Sequence, residues 1–167
     1  YDGLSLNQIR FFTEDTRIKT KEGMLEMERT EGPILFKPDG SPIPLGGAAD
    51  YDGSVLMGID LESEIVGYEA LATHCVLDMR STELDRNAFW RPIPRPKDGR
   101  LYLEKDHFYI LSTIERARVP VNYACEMRAM DDRVGNFRSH FAGYIDPGWG
   151  SKNGTTLTLE VQPFAPM

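Results

Sequence analysis

The stretch that decides the fold runs from Ser139 to Val161 and reads Ser-His-Phe-Ala-Gly-Tyr-Ile-Asp-Pro-Gly-Trp-Gly-Ser-Lys-Asn-Gly-Thr-Thr-Leu-Thr-Leu-Glu-Val. Its apolar and aromatic first part leads into Asp146-Pro147-Gly148, where proline presets one backbone angle and glycine accepts a positive φ. After a second polar stretch, residues 155–161 are rich in β-branched side chains and alternate apolar with polar positions. The pattern predicts a β-hairpin with a carboxylate at the lip of its turn.

Glu160 occupies a polar position of this last strand, between Leu159 and Val161. The alternation therefore places Glu160 opposite the apolar face of the strand. A carboxylate in the middle of a strand is most often a solvated residue of the outer face. Periodicity alone leaves both that role and a functional role open.

Composition and net charge limit the classes of function that the chain can have. The chain has 167 residues, of which 41% are hydrophobic and 27% charged, as in an ordinary globular domain with one core. The net charge of −7 argues against binding to a nucleic-acid polymer, whose partners are usually basic. A single nucleotide remains possible, because a few converging arginines suffice for a triphosphate. No apolar run approaches the length of a membrane span, so no membrane partner is expected.

Cysteine and histidine patterns limit the metal chemistry. Cys75 and Cys125 form no Cys-x-x-Cys pair, and two reduced thiols of a cytosolic protein are expected, with a disulfide as the alternative. None of the three histidines begins the His-x-Glu element of zinc-dependent nucleobase deaminases. A deaminase with this sequence would therefore work without that zinc site.

Short strands separated by turns predict a mainly β sandwich or barrel with one or two short helices. Thr20 is the expected cap of a helix over residues 21–29, and residues 81–89 are expected to form one or two helical turns. The alternating prolines of residues 91–96 predict an extended connector. The predicted strands cover residues 4–12, 34–36, 54–61, 66–71, 73–78, 100–104, 108–113, 115–120 and 155–161.

Asp146-Pro147-Gly148-Trp149, followed by a strand ending in Leu-Glu-Val, resembles the core motif of the dCTP deaminase and dUTPase superfamily. Over residues 54–161 the order of strands and motifs is similar to the second half of the two-domain dCTP deaminases of alphaproteobacterial type. The resemblance implies a dUTPase-like fold, a β-clip or distorted β-barrel. It also implies that residues 1–12 close a preceding β-domain, residues 13–50 form a linker with a possible short helix, and residues 51–167 form the deaminase-like β-domain.

The same resemblance implies deamination of dCTP to dUTP and ammonia. Glu160 takes the position of the glutamate that activates a water for attack on cytosine C4, without zinc. The other residues that the resemblance implies surround the nucleotide: Arg128 and Arg133 at the phosphates, Ala142 at the base edge, Asp146 near the deoxyribose, and Tyr144 and Trp149 as pocket walls. No protein-bound cofactor is expected, and Mg²⁺ would accompany the triphosphate.

Departures from the family pattern keep two other functions open. Ala129 and Met130 stand where the family has phosphate-binding serines, and Asp131 and Asp132 would repel a triphosphate. A degenerate, non-catalytic half that acts as an assembly scaffold is therefore the main alternative. A dUTP pyrophosphatase, with the turn aspartate as base, is the third. The expected partners are a dCTP- or dUTP-type nucleotide and further copies in a cytoplasmic homo-oligomer, either a trimer or a pseudo-trimer.

Overall fold

The fold is mainly β, as the sequence predicts. The computed structural model describes residues 9, 19–78, 80–128, 143–150 and 152–164, and the backbone of residues 137–139. The elements in chain order are α1 (Lys21–Glu31), β1 (Leu35–Phe36), α2 (Leu45–Ala48), β2 (Ile65–Ala70), a 3₁₀ turn (Arg86–Ala88), β3 (Trp90–Pro94), β4 (Tyr109–Ala117), β5 (Cys125–Glu126), β6 (Phe137–Ser139), β7 (Tyr144–Ile145) and β8 (Thr155–Pro163). No helix within the described ranges is long and apolar enough to cross a membrane.

Strand β4 is the centre of the main sheet. The antiparallel order is β3-β2-β4-β8-β6, and β1 pairs with the far end of β4 on the edge opposite β8. The long strands β4 and β8 consist largely of β-branched and apolar residues, which suit a half-buried pleated surface. Their pairing aligns Ile110 with Glu160, so the register of this pair fixes where Glu160 lies.

The first helix forms where the sequence predicts it and continues two residues further. The Thr20 hydroxyl caps it by accepting a hydrogen bond from the Gly23 N–H at 3.4 Å. Met27 packs from α1 into a cluster with Leu35 of β1 and Leu45 of α2. Residues 21–48, expected to be mostly linker, therefore contribute two helices, a strand and a small core. The proposed domain limits stay predictions. Residues 1–8 and 10–12 of the expected closing strand lie outside the described residues.

The hairpin prediction is confirmed at its ends and wrong in its middle. Strand β6 pairs with β8 in antiparallel register, with Ser139 opposite Val161. Strand β7, however, does not continue this ladder and pairs with β5 in a separate two-stranded sheet. Ile145 of β7 packs with Val119 and with Leu157 of β8, so β7 contacts β8 through side-chain packing and not through backbone pairing.

Three predicted strands do not form. Residues 54–61 make only isolated bridges, including Ile59 to Thr113, and residues 73–78 and 100–104 are irregular. In the last segment the Glu104 N–H donates to the Tyr109 hydroxyl at 2.9 Å rather than to a neighbouring strand. The predicted helix over residues 81–89 is reduced to the 3₁₀ turn, capped by Asp85. The 91–96 connector is extended as predicted, and most of it forms edge strand β3.

Candidate active site

The Asp146–Gly150 turn is hydrogen-bonded to the chain that follows β4. Trp149 N–H donates to the Asp146 carbonyl at 3.2 Å, and Gly148 has a φ of 84°, which an L side chain adopts only with strain. Two further backbone hydrogen bonds join the turn to Val119. The Gly148 N–H donates to the Val119 carbonyl at 3.0 Å, and the Val119 N–H donates to the Trp149 carbonyl at 2.9 Å. The predicted tight turn is thus confirmed, and Gly148 and Trp149 attach it to Val119.

A cavity of about 220 Å³ opens between this turn and strand β8. Its walls are formed by β7, by the turn that follows β7 and by residues 157–160 of β8. The lining residues are Met127, Tyr144, Ile145, Asp146, Trp149, Leu157, Thr158 and Glu160. Four of the residues expected at a nucleotide site, Tyr144, Asp146, Trp149 and Glu160, therefore meet in one cavity.

Glu160 lies on the more exposed face of strand β8. Leu157 and Val161 are buried, whereas Thr158 is exposed and Glu160 is half-buried. The prediction that Glu160 lies opposite the apolar face is therefore confirmed. Trp149 is 42% exposed, so its ring presents an apolar surface to the solvent side of the cavity. A half-buried carboxylate beside an aromatic ring can hold a water and move a proton next to a flat ligand.

A second cavity, of about 310 Å³, is larger but is lined by fewer ionisable side chains. It is bordered by apolar side chains from the end of β2 and the start of β3, and by Leu77, Leu84 and Arg86. Arg86 is its single ionisable side chain, so it lacks a pair of groups for acid–base chemistry. Within the described ranges, no three His, Cys, Asp or Glu side chains converge closely enough to hold a metal ion.

Comparison with known proteins now identifies the domain. The family model for the C-terminal domain of 2'-deoxycytidine 5'-triphosphate deaminase matches residues 22–165. The chain belongs to this family. The crystal structure of 2'-deoxycytidine 5'-triphosphate deaminase from Agrobacterium tumefaciens superposes with a TM-score of 0.71 at 30% sequence identity. The match covers 89% of this chain and 43% of that one, so the chain spans less than half of its structural relative. No curated protein sequence matches at a significant level.

The comparison confirms the expected family and the dUTPase-like fold of this dCTP deaminase C-terminal domain. The candidate phosphate ligands remain predictions. Arg128 does not line the cavity; its side chain is 65% exposed, and its guanidinium lies 3.4 Å from the Glu126 carboxylate. Arg133 and Ala142 lie outside the described residues.

Sequence reasoning missed two lining residues of the deaminase-domain cavity whose side chains carry a heteroatom, Thr158 and Met127. Thr158 precedes Glu160 by two residues on the same strand, so the alternation that located Glu160 could also have located Thr158. Met127 enters through a contact that sequence does not show, because its N–H donates to the Gly143 carbonyl at 2.6 Å just after β5. That bond extends the β5–β7 pairing and brings the Met127 side chain to the cavity wall.

Among the described residues that line the cavity, the charged side chains are both acidic. Asp146 and Glu160 line it, and Glu126 is paired directly opposite Tyr144, one of the wall residues. Cross-strand partners share a face of the sheet, so Glu126 lies on the side of Tyr144 together with its ion-pair partner Arg128. The deaminase-domain cavity therefore suits an uncharged ring better than a phosphate chain.

Proposed function

We propose that this domain takes part in the deamination of dCTP to dUTP and ammonia, with Glu160 as the residue that activates water. The observation that carries the proposal is the meeting of Glu160 with Asp146 and Trp149 in one cavity between the turn and β8. Membership of the dCTP deaminase C-terminal family supports the choice of substrate. The whole protein's activity is part of the proposal, since the chain spans less than half of its structural relative.

The proposed chemistry needs one carboxylate that both accepts and returns a proton. Glu160 takes a proton from water as the water oxygen bonds to C4 of cytosine. The proton then passes to the exocyclic amine, the C4–N bond breaks and ammonia leaves. The second proton of the water moves from the C4 hydroxyl to N3, which gives the C4 carbonyl and the N3–H of the uracil ring. Such shuttling by a positioned carboxylate contributes roughly 10²- to 10⁴-fold in rate. In this proposal Trp149 and Tyr144 flank the base, and Asp146 accepts a hydrogen bond from the deoxyribose.

The cavity dimensions divide the nucleotide into two parts. At about 220 Å³ the cavity is smaller than the roughly 300–1,000 Å³ of typical small-molecule pockets. We assign this space to the base and part of the sugar, while the triphosphate lies outside it. Arg128 and Arg133 are the proposed phosphate ligands, with the backbone at Ala142 at the base edge. The proposal includes no resident cofactor, and Mg²⁺ arrives with the phosphates.

A second candidate function, a non-catalytic scaffold, is favoured by the Arg128–Glu126 ion pair. An arginine already paired with a carboxylate has less attraction left for a phosphate than a free one. Asp131 and Asp132 in the sequence add to the same argument. Under this alternative the domain stabilises a cytoplasmic homo-oligomer, trimeric or pseudo-trimeric, in which another half performs the reaction.

The test measures product formation and binding together. The folded chain is incubated with dCTP and Mg²⁺, and ammonia, dUTP and pyrophosphate are quantified for the unaltered chain and for Glu160→Gln. Glu62→Gln serves as the control, because it removes the same charge from an exposed position outside the cavity. Ammonia release that is lost only in Glu160→Gln supports the proposal. A parallel incubation supplies dUTP in place of dCTP, and pyrophosphate release from dUTP that survives this substitution would instead favour a dUTP pyrophosphatase with Asp146 as base.

If no product forms, a measurement of dCTP binding decides how that result is interpreted. Calorimetric titration with dCTP separates a site that binds but does not react from one that does not bind at all. No product and no binding to a folded chain would overturn the catalytic proposal for this domain and support the scaffold function. The mass of the particle in solution, from light scattering, then tests the proposed trimer or pseudo-trimer.

A further inference from the structure

Four consecutive residues at the end of β4 and just beyond it hold the turn that borders the candidate active site. We call them the 116–119 segment; they read Arg-Ala-Arg-Val. Val119 is buried and makes the two backbone hydrogen bonds to Gly148 and Trp149. Its side chain packs with Ile145 of β7, which lines the cavity. The position of Val119 therefore sets the position of the turn.

The first half of this segment contacts the end of the turn and the start of β8. A Cβ atom at Gly150 would lie 2.2 Å from the Ala117 carbonyl oxygen, and one at Gly154 would lie 3.1 Å from the Ala117 nitrogen. The Arg116 guanidinium donates two hydrogen bonds to the Gly154 carbonyl, from Nε at 3.2 Å and from Nη2 at 2.9 Å. Arg116, Ala117 and Val119 are thus all occupied with one side of the site.

Arg118 attaches the same segment to the end of α1. Its guanidinium donates to three successive backbone carbonyls, those of Glu31 at 2.7 Å, Gly32 at 3.2 Å and Pro33 at 2.9 Å. The last carbonyls of a helix have no partner within the helix, and a positive charge near them is favourable. The planar guanidinium has five N–H donors, so one side chain can serve all three carbonyls. Arg118 therefore joins α1 to the residue next to it, Val119, which holds the turn.

We propose that Arg118 is a positioning residue for the candidate active site: by binding the end of α1, it fixes the place at which Val119 holds the turn. Asp146 and Trp149, which the turn carries, line the cavity, whereas Arg118 does not. Arg118 therefore acts on the site through Val119 and the turn. This role rests on the proposed function only in treating the cavity as a nucleotide site. Loss of the Arg118 hydrogen bonds should loosen the turn more than it loosens the rest of the sheet.

Hydrogen exchange on the full chain tests this role. The amides of Val119 and Gly148, which we call the reporter amides, make the bonds between the 116–119 segment and the turn. The Ala70 amide, which donates to the Phe108 carbonyl at 2.8 Å, is the reference on the β2 side of the sheet. In Arg118→Met we expect protection of the reporter amides to fall about three- to tenfold, the size of one net hydrogen bond. Protection of the reference amide should change little, whereas a residue that only stabilised the whole fold would lower all three equally.

Arg29→Met is the matched control. Arg29 lies in the last turn of α1, its side chain is 72% exposed, and it binds Glu26 of the same helix. The same substitution there should leave protection of the reporter amides as it is in the unaltered chain. Methionine keeps much of the apolar stem of arginine and removes its donors. The bond from Arg118 to Pro33 is exposed, so water can replace it and the variant can fold, which circular dichroism checks.

Activity gives a second readout where the unaltered chain deaminates dCTP. The value of kcat/KM should then fall by a similar factor in Arg118→Met and recover in part in Arg118→Lys, which keeps the charge and an N–H donor. The positioning role is overturned if the reporter amides keep their protection in Arg118→Met, if the Ala70 amide loses as much, or if Arg29→Met has the same effect. An active chain that keeps its kcat/KM in Arg118→Met would overturn it as well. A chain without deaminase activity would contradict the proposed function alone, because the exchange result still decides the role of Arg118.

Discussion

The Thr113 hydroxyl accepts a hydrogen bond from the backbone N–H of Leu157 at 2.9 Å, at the point where strands β4 and β8 change register. Three residues of β4, 113–115, lie opposite the single residue Leu157 of β8. The bulge removes the ladder partner of Leu157, and the Thr113 side chain replaces it. Thr113 is 1% exposed and also donates to the Glu115 carbonyl at 2.7 Å.

Replacing Thr113 by valine should lower the free energy of unfolding by about 1–3 kcal/mol, because it leaves the Leu157 N–H buried without a partner. Urea unfolding measures the loss. Thr156→Val, the same change at an exposed position of β8, should stay within about 0.5 kcal/mol of the unaltered chain. Equal losses in the two variants would show that the Thr113–Leu157 bond contributes nothing specific.

This bulge also explains why one strong strand pattern failed. Residues 54–61 alternate as regularly as β8, and Ile59 does bridge to Thr113. The segment meets β4 where β4 is bulged, so the Ile114 N–H to Gly58 carbonyl bond at 2.9 Å is not followed by a continuous ladder. Alternation in a sequence shows which face is buried, but it does not show whether the partner strand is regular at that point.

The candidate site was predictable where it depended on local pattern. The turn at Asp146 and the outward position of Glu160 follow from proline, glycine and strand alternation within a few residues. Met127 depends on a contact with a distant segment, which no local pattern contains. Val76, in a segment predicted as a strand, is 87% exposed, because an apolar run without a neighbouring strand does not form a ladder.

Gly150 gives a prediction about the turn that borders the cavity. Its φ is 67°, and a Cβ atom there would lie 2.2 Å from the Ala117 carbonyl oxygen. Gly99 has nearly the same φ, 68°, but a Cβ there would meet nothing within 4 Å. An alanine at either position must adopt a left-handed backbone conformation, which costs roughly 1–2 kcal/mol. At Gly150 the new Cβ atom also clashes with the Ala117 carbonyl oxygen.

We therefore expect Gly150→Ala to lose about 1–3 kcal/mol more than Gly99→Ala in unfolding free energy, as for an overpacked site. Parallel urea titrations of the two variants check this. Losses of the same size would mean that the backbone near Ala117 moves aside without cost.

The Arg128–Glu126 pair predicts a gain of nucleotide affinity on removing a carboxylate. If Arg128 contacts the phosphates, Glu126→Gln should tighten dCTP binding a few-fold, because it frees the guanidinium and removes a repulsive charge near the rim. Calorimetric titration at fixed salt measures the change. Glu62→Gln is the control, because it breaks an exposed ion pair with Arg95 that is not part of the cavity lining. It should not alter the affinity. Unchanged binding in both variants would place the phosphates away from Arg128.

Stability in acid should depend on Glu69. Burial raises the pKa of Glu69, but the hydrogen bonds from His107 and Arg91 outweigh burial and hold the pKa below its ordinary value of about 4.5. A carboxyl whose pKa is lower in the folded state stabilises the fold above its unfolded-state pKa, and this contribution disappears as the pH falls through the lower, folded-state pKa.

Glu69→Gln should therefore reduce the free energy of unfolding by about 1–3 kcal/mol at pH 7, the range for hydrogen bonds to a charged group. The difference between the variant and the unaltered chain should remain constant down to about pH 4.5 and then shrink as Glu69 becomes protonated. Urea unfolding at pH 7, 5, 4 and 3.5 measures it, with the exposed Glu62→Gln as control. A difference that persists undiminished into acid would mean that Glu69 acts through its shape and packing, since its charge would then contribute nothing.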